Sequence, residues 1–218
     1  MRRRRFSASY REAVLATSPV AYWRLGEASG TVARDEMGLH HGTYVGGPTL
    51  GVPRLLAGDP DTAVTFPGAA AASGRLTFVL PAMATWTIAF LINRGNPAGR
   101  VADRIFACPA LEFELSMFNS GTLHFYDGAW ADMALGLAVG TPTDVVVSYA
   151  SGHLCSYKDG GVVQDTNRGR ALGAGTYSFG AAPDGTVGEN FTGDELAIFN
   201  RALSAAEIAE LFRVGTGQ

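Results

Sequence analysis

The chain has 218 residues, 47% of them hydrophobic and only 17% charged, which excludes a disordered acidic or basic chain. Its formal charge of −3 includes Arg2, Arg3, Arg4 and Arg5, so the remainder carries −7, which argues against a general nucleic-acid binder with a basic folded surface. The 28 glycines are spread along the whole chain, as many short strands joined by tight turns require.

Residues 1–8 read as a basic arm. From Ser9 to Ala16, Tyr10, Val14 and the Ala13/Leu15 pair form a short helical stripe, with Ser9 and Glu12 as a capping box. Ser18-Pro19 ends it, because the residue before a proline is steered out of the helical region. After that, eleven segments of strand character alternate with turns. They are "VAYWRL", "AVTF", "RLTFVL", "WTIAFLI", "RIFAC", "LEFELSMF", "TLHFYD", "DVVVSYA", "HLCSYK", "TYSFG" and "ELAIF". "KDGG" between "HLCSY" and "VVQDT" predicts a two-residue hairpin. Only the end departs from the pattern: Leu203, Ile208, Leu211 and Phe212 share a helical stripe, with Ser204 as N-cap, Glu207 three residues on and Gly215 as terminator. With no linker between strands, one sandwich is expected rather than two domains. Cys108 and Cys155 lie in apolar segments and read as free thiols. The basic start runs into "FSASYREAV" rather than an apolar core, so no secretory signal and no membrane span are read.

Three stretches, "SPVAYWRLGEASGT", "GTYVGGPTLGVPRLLAGDPDTAVTFPG" and "FTGDELAIFNRALSAAEIAELFRVG", resemble the start, early loop and closing segment of the bacterial and phage laminin-G-like (concanavalin A-like) domains. The resemblance runs from about Ser18 to Gly215 and implies an all-β fold, a two-sheet antiparallel jelly-roll sandwich with a short N-terminal helix and a C-terminal helix. The organisation expected is residues 1–17 as arm and short helix, and 18–218 as the sandwich. Trp23, Trp86, Phe90 and Ile198 are expected in its core. The chain departs from the family in two places. The early loop reads "DEMGLHHG", without the usual serine and asparagine, and "TPTDVVVSYASG" places Thr143 and Asp144 where a Trp-His-His often stands.

The resemblance further implies a calcium ion between the early loop and the closing strand, held here by Asp35, Asp194 and Glu195; a solvated strand start is the competing reading. His40, His41, His124 and His153 lack zinc-ligand spacing and read as hydrogen-bonded or solvated side chains. Glu112 and Glu114 share a strand face, as retaining glycoside hydrolysis needs. The glucanase strand reads E-x-D-x-x-E, however, and Met117 takes its third acidic place, so no enzyme is expected. For sugar binding the best stretch is "YDGAWAD", with Trp130 in a turn between Asp127 and Asp132; alternatively Trp130 folds back to plug the sandwich end. Arg2, Arg3, Arg4, Arg5 and Phe6 form a tether suited to an acidic protein surface, with a solvated tail or nucleic acid as alternatives.

A sandwich of this kind without an export signal resembles virion proteins of phages that infect GC-rich bacteria. The expected function is a non-enzymatic virion structural protein, tail-associated or a capsid decoration. It would be made in the host cytoplasm, bound to other virion proteins through its arm, and able to form a homo-oligomer, with no membrane partner. The alternative is a carbohydrate-binding module for host cell-surface glycans.

Overall fold

The computed structural model describes residues 9–68, 73–96, 102–108 and 113–218. The arm Arg2–Phe6 and Glu112 lie outside the described residues. The chain opens with α1 (Tyr10–Ala16), β1 (Ala21–Trp23), β2 (Val32–Ala33), β3 (Gly42–Val45), β4 (Thr49–Pro53), β5 (Thr62–Phe66) and β6 (Arg75–Leu80). It continues through β7 (Trp86–Arg94), β8 (Ala102–Ala107), β9 (Glu114–Phe118), β10 (Thr122–Tyr126) and β11 (Trp130–Gly136). The last elements are β12 (Pro142–Ala150), β13 (His153–Lys158), β14 (Gly161–Thr166), β15 (Gly175–Phe179), β16 (Phe191–Phe199) and α2 (Ala205–Thr216).

These strands form two antiparallel sheets of eight, consistent with a jelly-roll sandwich. Sheet A runs β14-β13-β12-β7-β16-β5-β4, with β1 also paired to β16; sheet B runs β11-β10-β9-β8-β15-β6-β3-β2. Alternation along each strand sends one set of side chains into the space between the sheets. Trp23, Phe66, Phe78, Trp86, Phe90 and Ile198 all meet there, as expected for the four that the sequence singled out. The buried indole N–H groups are satisfied, Trp23 donating to the His40 carbonyl and Trp86 to the Arg170 carbonyl, both at 2.9 Å.

The opposite face of sheet A is also apolar and is covered by both helices. Tyr22, Leu91, Val146 and Phe199 meet Tyr10 and Val14 of α1 and Ile208 and Leu211 of α2 in a second core. Both helices begin with the expected capping boxes, Ser9 with Glu12 and Ser204 with Glu207. The terminator of α2 is Gly217 at φ 71°, not Gly215, which lies inside the helix with Tyr10 and Leu56 against its Cα. Hairpin β13–β14 turns on Asp159 and Gly160 at φ 50° and 76°, the paired left-handed geometry that "KDGG" calls for. Cys108 and Cys155 are free thiols.

Five strands lie beyond the eleven expected segments: β14, which the predicted hairpin implies, and β2, β3, β4 and β11, which the sequence reading did not mark. β2 and β3 are short, and β4 is half exposed and interrupted by Gly51 at φ 70°. β11 begins at Trp130, so this residue opens a strand rather than sitting in a turn.

Candidate functional site

The face of sheet B turned away from the core carries an aromatic group built on β9, β10 and β11. The pairing sets Leu123 and Phe125 of β10 beside Met117 and Leu115 of β9, all inward, and therefore turns Phe118, His124 and Tyr126 outward. On the other side, Tyr126 lies opposite Trp130 and His124 opposite Asp132. Cross-strand and diagonal neighbours at this spacing are in reach of one another. The His124 ring stacks on Phe118 with centroids 3.9 Å apart, and Trp130 meets Phe118 and Tyr126 at 5.2 Å each. Trp130 keeps 39% of its surface exposed at the top of this group, so it does not plug the sandwich end.

The two aspartates that flank it serve the backbone. Both Asp127 oxygens are taken, one by the Arg168 guanidinium and one by the Gly169 N–H at 2.9 Å. Arg168 also lies over the Phe125 ring at 5.0 Å and donates to the Ala129 carbonyl, so this ion pair fixes the turn that presents Trp130. Asp132 is exposed and accepts from the Ala134 N–H at 2.7 Å across an irregularity in β11. Deeper on the same face, Glu114 accepts from Arg104 Nε at 3.0 Å. Burial raises the Glu114 pKa, and Arg104 opposes that rise. The sequence reading did not single out Phe118 and took His124 only as a hydrogen-bonded or solvated histidine, because nothing local joins one to the other. Their shared parity, at positions 118, 124 and 126 of a hairpin, was the available signal.

Of the residues expected to hold calcium, Glu195 joins a group of carboxylates but Asp35 does not. Asp35 is buried, and its oxygens accept from four backbone N–H groups, those of Tyr22, Met37, Leu39 and His40, at 2.8–3.0 Å. It organises the "DEMGLHHG" loop instead. His41 joins the same loop by accepting from the Asp35 N–H at 3.0 Å, while the His40 ring meets the Val79 carbonyl. The group of carboxylates that does converge, among the described residues, is Asp59, Asp61 and Glu195, and Asp194 lies near enough to feel the charges of Asp61, Asp59 and Arg24.

Its origin lies in the topology. β16 pairs with β5 through Phe191–Gly193 and with β1 through Leu196–Ile198, on the same edge. Between the two runs the register shifts and Glu195 takes φ 54°, a bulge that turns both Asp194 and Glu195 away from the inner core. The Arg24 guanidinium sits at this junction, 2.5 Å from Asp59, 2.9 Å from Asp61 and 3.4 Å from Glu195. Burial opposes its charge, yet the three carboxylates raise its pKa overall. Glu195 also accepts from the Tyr22 hydroxyl, and Asp194 from the Leu55 N–H at 2.9 Å. Burial lifts Asp194 to about 7, and it lifts Glu195 to about 8 against the Tyr22 hydrogen bond and the Arg24 charge. A hard cation needs several free oxygens, and here the lone pairs facing the junction already point at a guanidinium. The residues present fit a buried ion-pair cluster and not a calcium cage.

Comparison with known proteins agrees with the fold. The family model described as the concanavalin A-like lectin/glucanases superfamily matches residues 59–209. No curated protein sequence matches the chain. Solved structures that resemble it include a Trypanosoma rangeli sialidase in complex with 2,3-difluorosialic acid, at 17% identity and TM-score 0.69, covering 93% of this chain and 35% of that one. Another is the binding domain of botulinum neurotoxin DC in complex with rat synaptotagmin II, at 12% identity and TM-score 0.68, covering 90% of this chain and 51% of that one. The chain therefore spans about a third to a half of these proteins, and at such identities the likeness is one of fold. With most of its length matched by the family model and both sheets in place, the chain belongs to the concanavalin A-like lectin/glucanase superfamily.

Proposed function

We propose that the protein is a non-enzymatic carbohydrate-recognition domain whose binding surface is the outer face of sheet B. The observation that carries this reading is the group of Phe118, His124, Tyr126 and Trp130, held rigidly on strands with the Trp130 ring partly exposed. A pyranose has a face of C–H groups that rests on an aromatic ring, and its rim hydroxyls need polar neighbours such as Asp132. Among the described residues beside the aromatic group, Arg104 is engaged by Glu114 and Arg168 by Asp127, so neither guanidinium is free to favour an acidic sugar. Neutral pyranosides are the expected class. The same Arg104–Glu114 pairing argues against glycoside hydrolysis, since a carboxylate tied to a guanidinium is poorly placed to donate a proton.

The test is a glycan array followed by calorimetry with the hits, repeated with Trp130→Ala. Binding of neutral glycans that vanishes in the folded variant supports the reading. Binding of sialylated glycans alone, or binding indifferent to Trp130, overturns it.

The display of this surface on a virion is supported by the placement of α1, which packs on sheet A, on the side of the molecule opposite the aromatic group. An anchor that leaves from Ser9 would leave sheet B facing outward. Arg2–Phe6 would supply that anchor by docking onto acidic virion proteins. Removal of residues 2–8 should then abolish co-sedimentation with phage particles while the melting temperature stays unchanged; retained co-sedimentation refutes the anchor.

A further inference from the structure

A cavity of about 230 Å³ opens between sheet A and the C-terminal end of α2, on the far side of the molecule from the aromatic surface. Its walls include Leu56, Leu91 and Phe212, and Tyr10 of α1 stands at its edge. Polar character enters from one side, where Asp144 of β12 and Asp159 of the β13–β14 turn both reach it. None of the described residues that line it is Arg, Lys or His.

Asp144 is 6% exposed, and no donor among the described residues reaches its Oδ1. A buried oxygen left without a donor costs roughly 1–3 kcal/mol. The backbone around it is locked, with the Asp144 N–H donating to Asp159 Oδ1 at 3.1 Å and the Asp159 N–H to the Asp144 carbonyl at 3.0 Å. The two carboxylates are thus held side by side by bonds that do not use Asp144 Oδ1. Gly215 and Thr216, in the last turn of α2, close the cavity with the partially negative end of a helix. Apolar walls, two carboxylates and a helix C-terminus together select a cation on an aliphatic stem. The volume falls below the ~300–1,000 Å³ of sites for drug-sized ligands and suits a single side chain.

We infer that this cavity is a binding site for a guanidinium on an aliphatic stem, the stem lying along Leu91 and Phe212 and the planar head donating to Asp144 Oδ1 and Asp159. A guanidinium offers several donors in one plane and can bridge two carboxylates, which an ammonium does less well. Two sources share this chemistry. One is an arginine of another molecule. The other is this chain's own Arg2–Arg5, of which Arg5 precedes Tyr10 by five residues, a reach of roughly 17 Å if extended.

The test uses N-acetyl-arginine methylamide as probe and the uncharged N-acetyl-citrulline methylamide as its isosteric control. Calorimetry and melting temperature are read on the full chain and on a full-length variant with Arg2, Arg3, Arg4 and Arg5 replaced by Ala. Binding of the arginine probe to the full chain assigns the site to an outside ligand. Binding only after the four replacements assigns it to the chain's own arm. In either case Asp144→Asn should weaken the probe by about tenfold or more, the usual scale for losing one partner of a buried charge pair, and Asp159→Asn should separately weaken it by about threefold or more. Asp159 is exposed and its replacement leaves the core intact, so that variant decides the matter if Asp144→Asn does not fold. Failure of the arginine probe to bind either chain, equal binding of the citrulline control, or undiminished affinity in folded carboxylate variants overturns the assignment.

Discussion

Asp144 offers the sharpest physical test of the structure, because its surroundings set the sign of a pH effect. Burial is the main cause that lifts its pKa from the ordinary 3.8 to about 7, and the charge on Asp159 adds to it. In the unfolded chain the group ionises near its ordinary value. Between the two values the unfolded state therefore binds fewer protons than the folded state, and stability falls as pH rises. The full penalty, reached above the folded pKa, is about 4 kcal/mol. Asp144→Asn removes the ionisation while keeping the shape and the backbone hydrogen bonds to Asp159. Relative to the parent, the variant should gain about 3 kcal/mol between roughly pH 4.5 and 8.5, or roughly 6–12 °C in melting temperature. Most of that gain should come before pH 7, with a plateau above it. Asp194 and Glu195, whose pKa values are raised in the same direction, are present in both proteins and cancel in the difference. Urea unfolding at matched pH values is the assay, with Arg2, Arg3, Arg4 and Arg5 replaced by Ala in both proteins so that no arm guanidinium can sit on Asp144. A stability difference that stays flat across this window would show that Asp144 titrates as an ordinary surface carboxyl, and the account of its burial would fail.

Arg24→Met strips the cation from Asp59, Asp61 and Glu195, and should cost about 3 kcal/mol at neutral pH, as loss of one partner of a buried pair does. The same variant should acquire a melting temperature that rises with added calcium, whereas a chelator should leave the parent unchanged; a parent destabilised by chelation would contradict the ion-pair reading of this cluster. Ser204→Ala opens the capping box of α2 and should cost about 1 kcal/mol by chemical denaturation. Trp130→Ala removes a ring from a solvent-facing surface and should change stability by no more than about 1 kcal/mol, so that loss of glycan binding cannot be blamed on unfolding.

What the sequence disclosed and what it withheld divide along physical lines. Local signals were reliable. The two capping boxes need only a residue and its third neighbour, and the Asp159-Gly160 turn needs only two positions able to take positive φ. Long aromatic and β-branched runs such as "WTIAFLI" are unambiguous because β7 is buried on both faces, one against sheet B and one under the helices. The strands that passed unseen are those whose identity comes from their partners. β4 is an edge strand with Gly51 and Pro53, and β11 carries Ala, Met and Gly, so neither has strong strand propensity of its own.

The candidate sites were hidden for the same reason, one level up. Arg24, Asp59, Asp61 and Glu195 are scattered over 172 positions and meet only because β16 passes its edge from β5 to β1 at a bulge. A single residue in left-handed geometry, Glu195 at φ 54°, moves its side chain out of the strict alternation that a sequence reading must assume. Holding a non-glycine residue there costs about 1–3 kcal/mol, and here it is held by the ion pairs it completes. The resemblance placed Asp194 and Glu195 at a cation site. The fold does place a positive charge there, on a side chain of its own chain, while Asp144, two strands away, keeps a buried Oδ1 that no donor among the described residues reaches. A substitution of ion by guanidinium leaves the charge pattern of the sequence almost intact, which is why composition and motif alone could not separate the two.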